Sequence, residues 1–473
     1  MPHERRQVII VGSGCAGLAA ANELLEHQVE VLVIDENPYW GGQLLRRVPE
    51  RLGTGQAVNS LGAKRTGFQL MARLRKRNLK IMNRISVLGI SPDRELYVQN
   101  GNDRLYSLKS DFIILATGAR ERFQPFPGWT LPGVFSTGAV QVLLKTSGVL
   151  PGHQVLIGGA GFLPYAVAGE VLINRGRLLA VLDQTSLPGK MKLLGQWYHQ
   201  WPRLLEGASY LARLLMAGVP VKQKTRIIEA KGRRELEAVV AARVDDRGRI
   251  VPGSEKTYRP DALAIGYGLI PNVELPQQAG CSIEYQAGRG GWVVKVDDRL
   301  ETSVKNIYAA GETNGVAGGV KSLVEGRMAA LSILRELGRV QEKEYQRRMA
   351  LYRRHRNREL KFGEFLNSLG QVSRNTYETL PDETVVCRCE EVTMGEIRKW
   401  MSQGFSTPVA LKNATRMGMG NCQGRICGPV LYDLLAAGAP DLSERMKPLS
   451  ARLPVKMMRL EALAEADLEG KPE

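Results

Sequence analysis

Runs of β-branched and aliphatic residues alternate with glycine-rich turns and alanine-rich stretches near the start of the chain. Residues 7–36 read QVIIVGSGCAGLAAANELLEHQVEVLVIDE. The apolar run before the first glycine predicts a buried strand, the alanine- and leucine-rich stretch predicts a helix, and VEVLVID predicts a second strand. A strand, a helix and a strand in this order form the unit from which parallel sheets with covering helices are built. The expected fold class is therefore α/β.

The turn between the first strand and the helix carries Gly12-x-Gly14-x-x-Gly17. In this context the spacing predicts a dinucleotide site, with the pyrophosphate at the helix N-terminus. Gly12 permits the tight turn, Gly14 lets the pyrophosphate approach, and Gly17 brings helix and strand together. An acid at the end of the second strand is expected to bind the adenosine ribose. Glu36 is preferred because of its position, and a shift to Asp35 remains open.

The same pattern recurs in HQVLIGGAGFLPYAVAGEVLINRGRLLAVLD, which begins at His153. Its turn holds Gly159-x-Gly161, with Pro164 in place of a third glycine, and its second strand ends at Asp183. This departure leaves the nucleotide open. NAD(P), another adenine nucleotide such as ATP, and an empty structural remnant are all retained.

Two later segments have the form of cofactor-facing turns. DFIILATGAR predicts a buried strand that ends in Ala116, Thr117 and Gly118, and IYAAGE predicts a strand that runs into Gly311 and Glu312. An acid at the second place suits the ribityl hydroxyls of a flavin, and the helix that follows can point its N-terminus at the ring. Aspartate is more usual there, and glutamate is one methylene longer.

A Gly-Gly-Gln-Leu turn lies a few residues after the candidate ribose acids, and it resembles the flavin-side turn of two-dinucleotide-binding-domain flavoproteins. Gly42 would allow backbone contact with the linker of a flavin, and Gln43 could donate a hydrogen bond beside it. Taken alone this is a plain turn, and its functional interpretation rests on the surrounding elements.

Charge adds a candidate surface. The chain carries 65 Lys and Arg against 48 Asp and Glu, a net charge of +17. Residues 335–361 hold ten of the basic residues and four of the acidic ones. No nucleic-acid motif accompanies them, so a solvated helix face or an anionic protein partner is expected and nucleic acid is not. No secretion signal and no apolar run of membrane-spanning length is seen, so the expected location is cytoplasmic, with inner-membrane contact through an electron acceptor left open.

Four of the six cysteines form a second candidate site, as Cys387-x-Cys389 and Cys422-x4-Cys427. Thiolates select zinc or iron–sulfur clusters. The C-x-C spacing is too short for a usual zinc knuckle, in which two to four residues separate the ligands. A [2Fe-2S] cluster is favoured, while zinc and a pair of disulfides are the weaker alternatives.

The glycine fingerprint, the IYAAGE turn and the CRCEE…TRMGMGNCQGRIC block together carry a resemblance to a known family. The chain resembles the FAD-binding subunits of bacterial amino-acid and opine dehydrogenase complexes. These include proline and hydroxyproline dehydrogenase alpha-type subunits, octopine/nopaline oxidase A-type subunits and hydrogen cyanide synthase B-type subunits. The resemblance implies a two-dinucleotide-binding-domain flavoprotein, in which a second Rossmann-like domain is inserted into an FAD-binding Rossmann-like domain. A small helical [2Fe-2S] domain, similar to bacterioferritin-associated ferredoxin, is expected to follow.

The resemblance divides the chain into six segments. They are the first part of the FAD domain (1–140), the second nucleotide-binding-like domain (141–275), the second part of the FAD domain (276–335), a basic helical linker (336–380), the [2Fe-2S] domain (381–440) and a C-terminal tail (441–473).

The implied FAD site combines the glycine turns and strand ends named above, and the implied cluster is held by the four cysteines. No catalytic residue is assigned. The cofactor-binding candidates are Gly12, Gly14, Ala16, Gly17, Asp35, Glu36, Gly42, Gln43, Ala116, Thr117, Gly118, Gly159, Gly161, Gly311 and Glu312.

The resemblance implies electron relay in a complex that oxidises the C–N bond of an amino acid or opine. The expected partners are an amino-acid-type substrate, a second flavoprotein subunit and a small ferredoxin-like subunit. No cysteine pair accompanies either nucleotide fold, so dithiol chemistry is not expected. The alternatives are a self-sufficient NAD(P)H-dependent FAD/[2Fe-2S] reductase and an iron-delivery or docking module.

Overall fold

The computed structural model describes two compact units of the chain. Unit 1 comprises residues 1–120, 270–365 and 450–473, and unit 2 comprises residues 121–269 and 366–449. Within them the structure describes residues 6–46, 62–77, 79–102, 104–186, 200–370, 375–438 and 446–464.

The strands are numbered in chain order. They are β1 (Arg6–Val11), β2 (Val31–Asp35), β3 (Lys80–Asn83), β4 (Ser86–Ile90), β5 (Glu95–Gln99), β6 (Leu105–Leu115), β7 (Ala119–Glu121), β8 (Val134–Ser136), β9 (Gln154–Gly159), β10 (Arg177–Asp183), β11 (Val221–Gln223), β12 (Thr225–Lys231), β13 (Ala238–Arg243), β14 (Lys256–Tyr258), β15 (Ala262–Gly266), β16 (Leu269–Pro271), β17 (Ile283–Gln286), β18 (Gly291–Val294), β19 (Ile307–Ala309), β20 (Val385–Cys387) and β21 (Val392–Thr393).

The α-helices follow the same convention. They are α1 (Cys15–Glu26), α2 (Gly42–Leu45), α3 (Gly62–Lys76), α4 (Thr137–Val142), α5 (Leu163–Ile173), α6 (Trp201–Met216), α7 (Glu274–Gln278), α8 (Gly319–Glu336), α9 (Glu342–Leu369), α10 (Asn375–Glu378), α11 (Met394–Ser402), α12 (Pro408–Thr415), α13 (Cys427–Gly438) and α14 (Leu460–Ala464). Glu312–Asn314 forms a 3-10 turn, as does Ala287–Arg289, and Leu143–Ser147 is a π-helical turn.

Unit 1 is built on five parallel strands in the order β3-β2-β1-β6-β19. Side chains of β1 alternate between two buried clusters, with Val8 and Ile10 on one face and Ile9 and Val11 on the other. Both faces are covered, which explains why residues 8–11 of β1 are continuously apolar rather than alternating. The first half of β6 also joins the antiparallel hairpin β4–β5.

Helices α1 and α8 lie in close contact on one face of this sheet. A Cβ at Gly326, in the middle of α8, would lie 2.1 Å from the carbonyl oxygen of Ala16. Any larger residue at position 326 would therefore push the two helices apart. This contact places the N-terminus of α1 beside the turn that leads into α8.

Unit 2 repeats the plan of unit 1. Its parallel strands have the order β11-β10-β9-β15-β8, and a three-stranded antiparallel sheet, β12-β13-β14, accompanies them. The predicted second nucleotide-binding fold is therefore present as a fold. The segment boundaries drawn from the resemblance remain predictions.

Unit 2 also contains the cysteine-bearing segment, which has a core of its own. The hairpin β20–β21 and helices α11, α12 and α13 enclose buried Val386, Met394, Ile397 and Leu431. Helix α11 begins in a capping box, because Thr393 accepts from the backbone N–H of Glu396 while the Glu396 carboxylate accepts from that of Thr393. Among the described residues, no helix combines the length and hydrophobicity that crossing a bilayer requires.

Candidate functional site

The first glycine turn has the geometry that its sequence predicts. Gly12 has φ +106°, and a Cβ there would lie 2.3 Å from the carbonyl oxygen of Ala116. A Cβ at Gly17 would lie 1.9 Å from the carbonyl oxygen of Gly12. Helix α1 begins at Cys15 with Gly14 as its N-cap, and no side chain caps it among the described residues. The helix N-terminus can therefore donate its N–H groups to a phosphate.

The Gly-Gly-Gln turn packs against this first turn. A Cβ at Gly42 would lie 2.7 Å from the Cα of Gly14, and the backbone N–H of Gly41 donates to the carbonyl oxygen of Ser13 at 3.0 Å. The backbone of Gly42 and Gln43 is thereby brought beside the predicted pyrophosphate position. Glycine is required at position 42 by this close approach.

The two candidate ribose acids have different surroundings. Asp35 is buried, and its Oδ2 accepts from the backbone N–H of Ser13 at 2.7 Å. Its Oδ1 accepts from the backbone and side-chain N–H groups of Asn37 at 2.9 and 2.8 Å. Glu36 is exposed and forms an ion pair with Lys456. These contacts make Asp35 a support of the glycine turn and leave the ribose role to Glu36, which stays a prediction.

Three strand ends and turns meet at the predicted flavin position. The hydroxyls of Thr117 and Thr313 lie 2.6 Å apart, and both donate to the carbonyl oxygen of Asn272 at 2.9 Å. The Ala116–Gly118 turn and the turn after Gly311 are thus held together. Glu312 accepts from the backbone N–H of Gly318 at 3.1 Å.

A buried cluster of charged side chains supports the Gly311 turn through hydrogen bonds to its backbone. Glu325 and Lys321 have no exposure, and the Lys321 Nζ lies 2.8 Å from the Glu325 Oε2. That carboxylate accepts from the backbone N–H of Gly311 at 2.8 Å, and Lys321 donates to the Gly311 carbonyl at 2.6 Å. Arg356 donates to the other Glu325 oxygen at 2.7 Å.

The electrostatics of this cluster favour the ionised pair. Burial raises the pKa of Glu325, but Lys321 and Arg356 outweigh it and bring that pKa below its usual value. Burial lowers the pKa of Lys321, which the Glu325 carboxylate opposes. Both charges are therefore retained at the turn. Removing either side chain would leave the other as a buried charge without a counter-ion.

The second glycine turn keeps the backbone form of the first. Gly159 has φ +146°, and a Cβ there would lie 1.9 Å from the carbonyl oxygen of Gly266. Asp183 matches Asp35, since its carboxylate accepts from the Tyr165 hydroxyl at 2.7 Å and from the backbone N–H of Thr185 at 2.8 Å.

The surroundings of the second turn differ in two ways from the first. The place after the strand-end acid holds Gln184 instead of glutamate, and its amide donates to the Thr376 hydroxyl at 3.4 Å. A Cβ at Gly161 would lie 3.6 Å from the Cα of Gly370. Glu36 of the first fold has no carboxylate counterpart at the matching place here.

The four clustered cysteines come together in unit 2. Cys387 ends β20 and Cys427 begins α13, and both are buried, whereas Cys422 is half-buried and Cys389 is exposed. Hydrogen bonds join Cys427 to Cys387 and to Cys422, and Cys422 to Cys389. The sulfurs therefore form one connected group with an opening to solvent at Cys389.

Two of these sulfurs are stabilised as thiolates. The Cys427 thiol, followed by backbone N–H groups such as that of Gly418, lowers the pKa of Cys387 to about 6. The Cys427 thiol and the Ile426 N–H similarly lower the pKa of Cys422 to about 5. The pKa of Cys427 is raised by the same hydrogen bonds. Thiolates surrounded by backbone donors are the ligand set that an iron–sulfur cluster uses.

The number of sulfurs matches the four ligands of a [2Fe-2S] cluster. Among the described residues, no three histidine, cysteine or carboxylate side chains converge as ligands of a single metal ion. A [2Fe-2S] cluster needs two sulfurs on each of two irons instead. A Cβ at Gly420 would lie 2.4 Å from the Cβ of Cys389, so the chain is packed closely behind this ligand. The residues present fit the cluster.

Trp129 anchors the C-x-C turn within unit 2. Its indole N–H donates to the carbonyl oxygen of Val385 at 2.7 Å, and the guanidinium of Arg388 lies 6.0 Å from the ring centre. Arg388 is the residue between Cys387 and Cys389. Trp129 therefore holds the strand that leads into the cysteine site.

The isolated cysteines do not resemble redox groups. Cys15 is buried beside the predicted flavin position, and burial, with a smaller effect of Glu312, raises its pKa to about 12. Cys281 is buried, and burial raises its pKa as well. Both remain thiols at neutral pH.

Comparison with known proteins now adds the family. The profile of the pyridine nucleotide-disulphide oxidoreductases matches residues 6–330. The chain belongs to this family. The profile of the BFD-like [2Fe-2S] binding domain matches residues 385–437, which contain all four clustered cysteines. This oxidoreductase thus combines an FAD-binding fold with a [2Fe-2S] domain, as predicted.

Its relatives span nearly the whole chain. The HcnB subunit of hydrogen cyanide synthase from Pseudomonas protegens is 31% identical over 98% of each chain. The A-type subunit of opine oxidase from Rhizobium meliloti is 33% identical over 92% of this chain and 93% of its own. The predicted resemblance is confirmed, and these relatives are subunits of larger complexes.

Solved structures show the same fold. L-proline dehydrogenase from P. horikoshii covers 98% of this oxidoreductase, which covers 80% of that chain, with a TM-score of 0.70 and 21% identity. Thioredoxin reductase from T. acidophilum covers 70%, with a TM-score of 0.51 and 19% identity. The predicted α/β fold class, with its two nucleotide-binding folds, is confirmed.

Sequence reasoning missed the charge cluster beneath the Gly311 turn and the anchor at Trp129. A signal for the cluster exists, because Lys321 and Glu325 are four residues apart in a helix that follows a predicted cofactor turn. For Trp129 no sequence signal exists, since its partner Val385 is 256 residues away.

Proposed function

We propose that this oxidoreductase relays electrons in a complex that oxidises the C–N bond of an amino acid or opine. When bound, FAD exchanges electron pairs as well as single electrons, and a [2Fe-2S] cluster carries one electron at a time. The observation that carries the proposal is a built cysteine site in a chain whose nucleotide folds lack a dithiol. The relatives named for hydrogen cyanide synthesis and opine oxidation support the substrate class.

The residues of unit 1 would bind and orient the flavin. The N-terminus of α1 would hold the pyrophosphate, and Glu36 would hold the adenosine ribose. Glu312 would accept from the ribityl hydroxyls, on a turn that Lys321 and Glu325 fix from below. The N-terminus of α8 follows that turn at Gly319, so it would favour negative charge on the ring.

The residues of unit 2 would hold the cluster. Cys387, Cys389, Cys422 and Cys427 would be its ligands, and the backbone N–H groups around Cys387 and Cys422 would stabilise its negative charge. The exposure of Cys389 leaves one side of the site accessible to an electron-transfer partner. Such thiol ligands fit a reducing compartment such as the cytoplasm.

A second flavoprotein subunit is the proposed site of C–N bond oxidation, and a small ferredoxin-like subunit is a further proposed partner. No acid–base pair suited to deprotonating a substrate emerged from the sequence. We therefore place the pocket that selects the substrate on the partner subunit. That subunit would discriminate between proline derivatives, opines and glycine.

The competing function is a self-sufficient NAD(P)H-dependent reductase, which the intact Gly159 turn of the second fold favours. Gln184 in place of an acid weighs against it, because a carboxylate at that place commonly holds the ribose hydroxyls of NAD. Anaerobic mixing of the purified chain with NADH, and separately with NADPH, distinguishes the two functions. Relay in a complex predicts that the flavin absorbance persists, and rapid bleaching would support the reductase instead.

A third function, iron delivery or docking by the cysteine domain, is tested with Cys422→Ser in the assembled complex. Relay predicts loss of substrate-driven dye reduction with assembly intact. Cys281→Ser is the matched control, since Cys281 lies outside the cluster, and it should keep the activity. Unchanged dye reduction in Cys422→Ser would favour the docking role.

A further inference from the structure

Helix α9 carries a stripe of basic side chains on one face. Lys343, Arg347, Arg354, Arg358 and Lys361 are all exposed. Their spacings of four, seven, four and three residues keep them on one side of a helix with 3.6 residues per turn. These five residues, named the basic stripe, extend over about 27 Å at 1.5 Å per residue.

The opposite face of α9 is fixed to the core of unit 1. Tyr345, Met349 and Leu360 are buried there, and Arg356 reaches inward to the Glu325 carboxylate at 2.7 Å. The helix cannot rotate without breaking these contacts, so the basic stripe is held facing solvent.

Most residues of the stripe form no ion pair within the described part of the chain. Arg358 lies 3.7 Å from Glu359, and ion pairs of the other four residues are absent among the described residues. The acids at the start of the helix are engaged elsewhere, Glu342 with Arg335 at 2.7 Å and Glu344 with Arg348 at 3.5 Å. Four of the five positive charges of the stripe are thus uncompensated among the described residues.

We propose that the basic stripe docks an acidic surface of the second flavoprotein subunit. The inference rests on the proposed function, which requires such a subunit, and it names the chemistry of the contact. Rows of opposite charge steer two proteins together and fix their register. A rigid helix presents its charges at constant spacing, so the backbone that carries them is already ordered before docking.

The structure favours a protein over a membrane as the occupant. A helix that lies on a bilayer inserts its apolar face between the lipids. The apolar face of α9 is instead buried in unit 1 through Tyr345, Met349 and Leu360. Of the large apolar residues along α9, Leu351 is the exposed one in the described structure, at 51%, which is too little for insertion.

The test compares two variants with the same change of charge. The stripe variant is K343E/R347E/R354E/K361E, which leaves Arg358 and its partner Glu359 in place. The control variant is K222E/R233E/R234E/R259E, whose four positions are exposed in unit 2. Each is mixed with the proposed flavoprotein subunit, and the dissociation constant is measured at 50 and 200 mM NaCl. FAD and cluster absorbance confirm that both variants are folded.

We expect the wild-type dissociation constant to rise about tenfold or more between the two salt concentrations, because exposed charges are screened beyond about 8 Å at physiological salt. The stripe variant should bind about 100-fold more weakly at low salt and lose most of this salt dependence. The control variant should bind within about threefold of wild type, because its substitutions lie away from the stripe.

Three outcomes would overturn the inference. Wild-type affinity and salt dependence in the stripe variant would refute docking while leaving the relay function standing. Absence of any wild-type complex would refute both. Stripe-dependent co-sedimentation with phosphatidylglycerol vesicles, without loss of the subunit complex in the variant, would assign the stripe to a membrane surface instead.

Discussion

At the scale of single residues, Glu325 shows how a buried charge can serve a cofactor turn. Its carboxylate joins Lys321, Arg356 and the backbone N–H of Gly311, so one side chain connects two helices to the turn that carries Glu312. A buried carboxylate is costly unless all its oxygens are satisfied. Here both oxygens have charged donors.

Glu325→Gln should therefore be strongly destabilising. It removes the charge but keeps the size of the side chain, which leaves Lys321 buried without its counter-ion. Breaking a buried pair costs about 3–5 kcal/mol, and FAD retention should fall with it because the acceptor of the Gly311 N–H loses its charge. Urea unfolding and the FAD-to-protein ratio measure both effects. Glu344→Gln, on the exposed side of α9, is the control and should unfold like wild type.

The same residue predicts a pH dependence. The pKa of Glu325 in the folded chain lies below its usual value of 4.5. The stability that it contributes is therefore complete above about pH 4.5 and is lost as the pH falls through the lower, folded-state pKa. As the pH is lowered through the acidic range, the free energy of unfolding should fall less steeply in Glu325→Gln than in wild type. Identical slopes would show that Glu325 is not ionised in the folded chain.

Adjacent acids at the end of β2 are predicted to have separate roles. Glu36→Ala should weaken FAD binding about 10- to 100-fold, because a hydrogen bond to a charged group contributes about 1.5–3 kcal/mol, with little change in stability. Asp35→Ala should lower the unfolding midpoint, because it leaves the buried Ser13 N–H without its acceptor. Titration of the apoprotein with FAD and urea unfolding separate the two effects. The reverse result would place the ribose at Asp35.

At the scale of elements, the repeated strand-turn-helix pattern could be predicted because parallel strands and glycine turns leave local signals. Gly12 and Gly159 each have a backbone form that the sequence indicates directly. Contacts between distant segments leave no such signal. The support of the Gly311 turn by Arg356, on another helix, and the anchor of β20 by Trp129 depend on side chains that only the folded chain brings together.

The anchor of β20 gives a prediction at this scale. Trp129→Phe keeps an aromatic ring but removes the N–H that donates to the Val385 carbonyl. An unsatisfied buried acceptor costs about 1–3 kcal/mol, so the cysteine domain should be less stable and lose its cluster faster to a chelator. The decay of visible absorbance in EDTA measures this rate. Trp400→Phe, in the same domain but away from Val385, is the control, and equal decay in the two variants would refute the anchoring role.

At the scale of the whole molecule, the chain joins two folds of similar plan to a cysteine domain of a different plan. The first fold keeps the acid that follows its second strand, and the second fold has Gln184 at that place. The first fold thus has every residue type that the predicted dinucleotide site requires, the second fold lacks the acid, and the cysteine domain provides for a one-electron carrier. This combination fits electron passage between partner proteins better than turnover of a soluble nicotinamide.

The most direct test of this relay is the oxidation state of the cluster after anaerobic addition of substrate to the assembled complex. The cluster is followed by electron paramagnetic resonance and the flavin by absorbance, with proline, hydroxyproline, an opine or glycine as the donor. Relay predicts that one of these reduces both centres in wild type, and that Cys422→Ser retains flavin bleaching without the cluster signal. A cluster that stays oxidised while the flavin turns over, or one that NADH reduces as fast as the substrate does, would contradict the proposal.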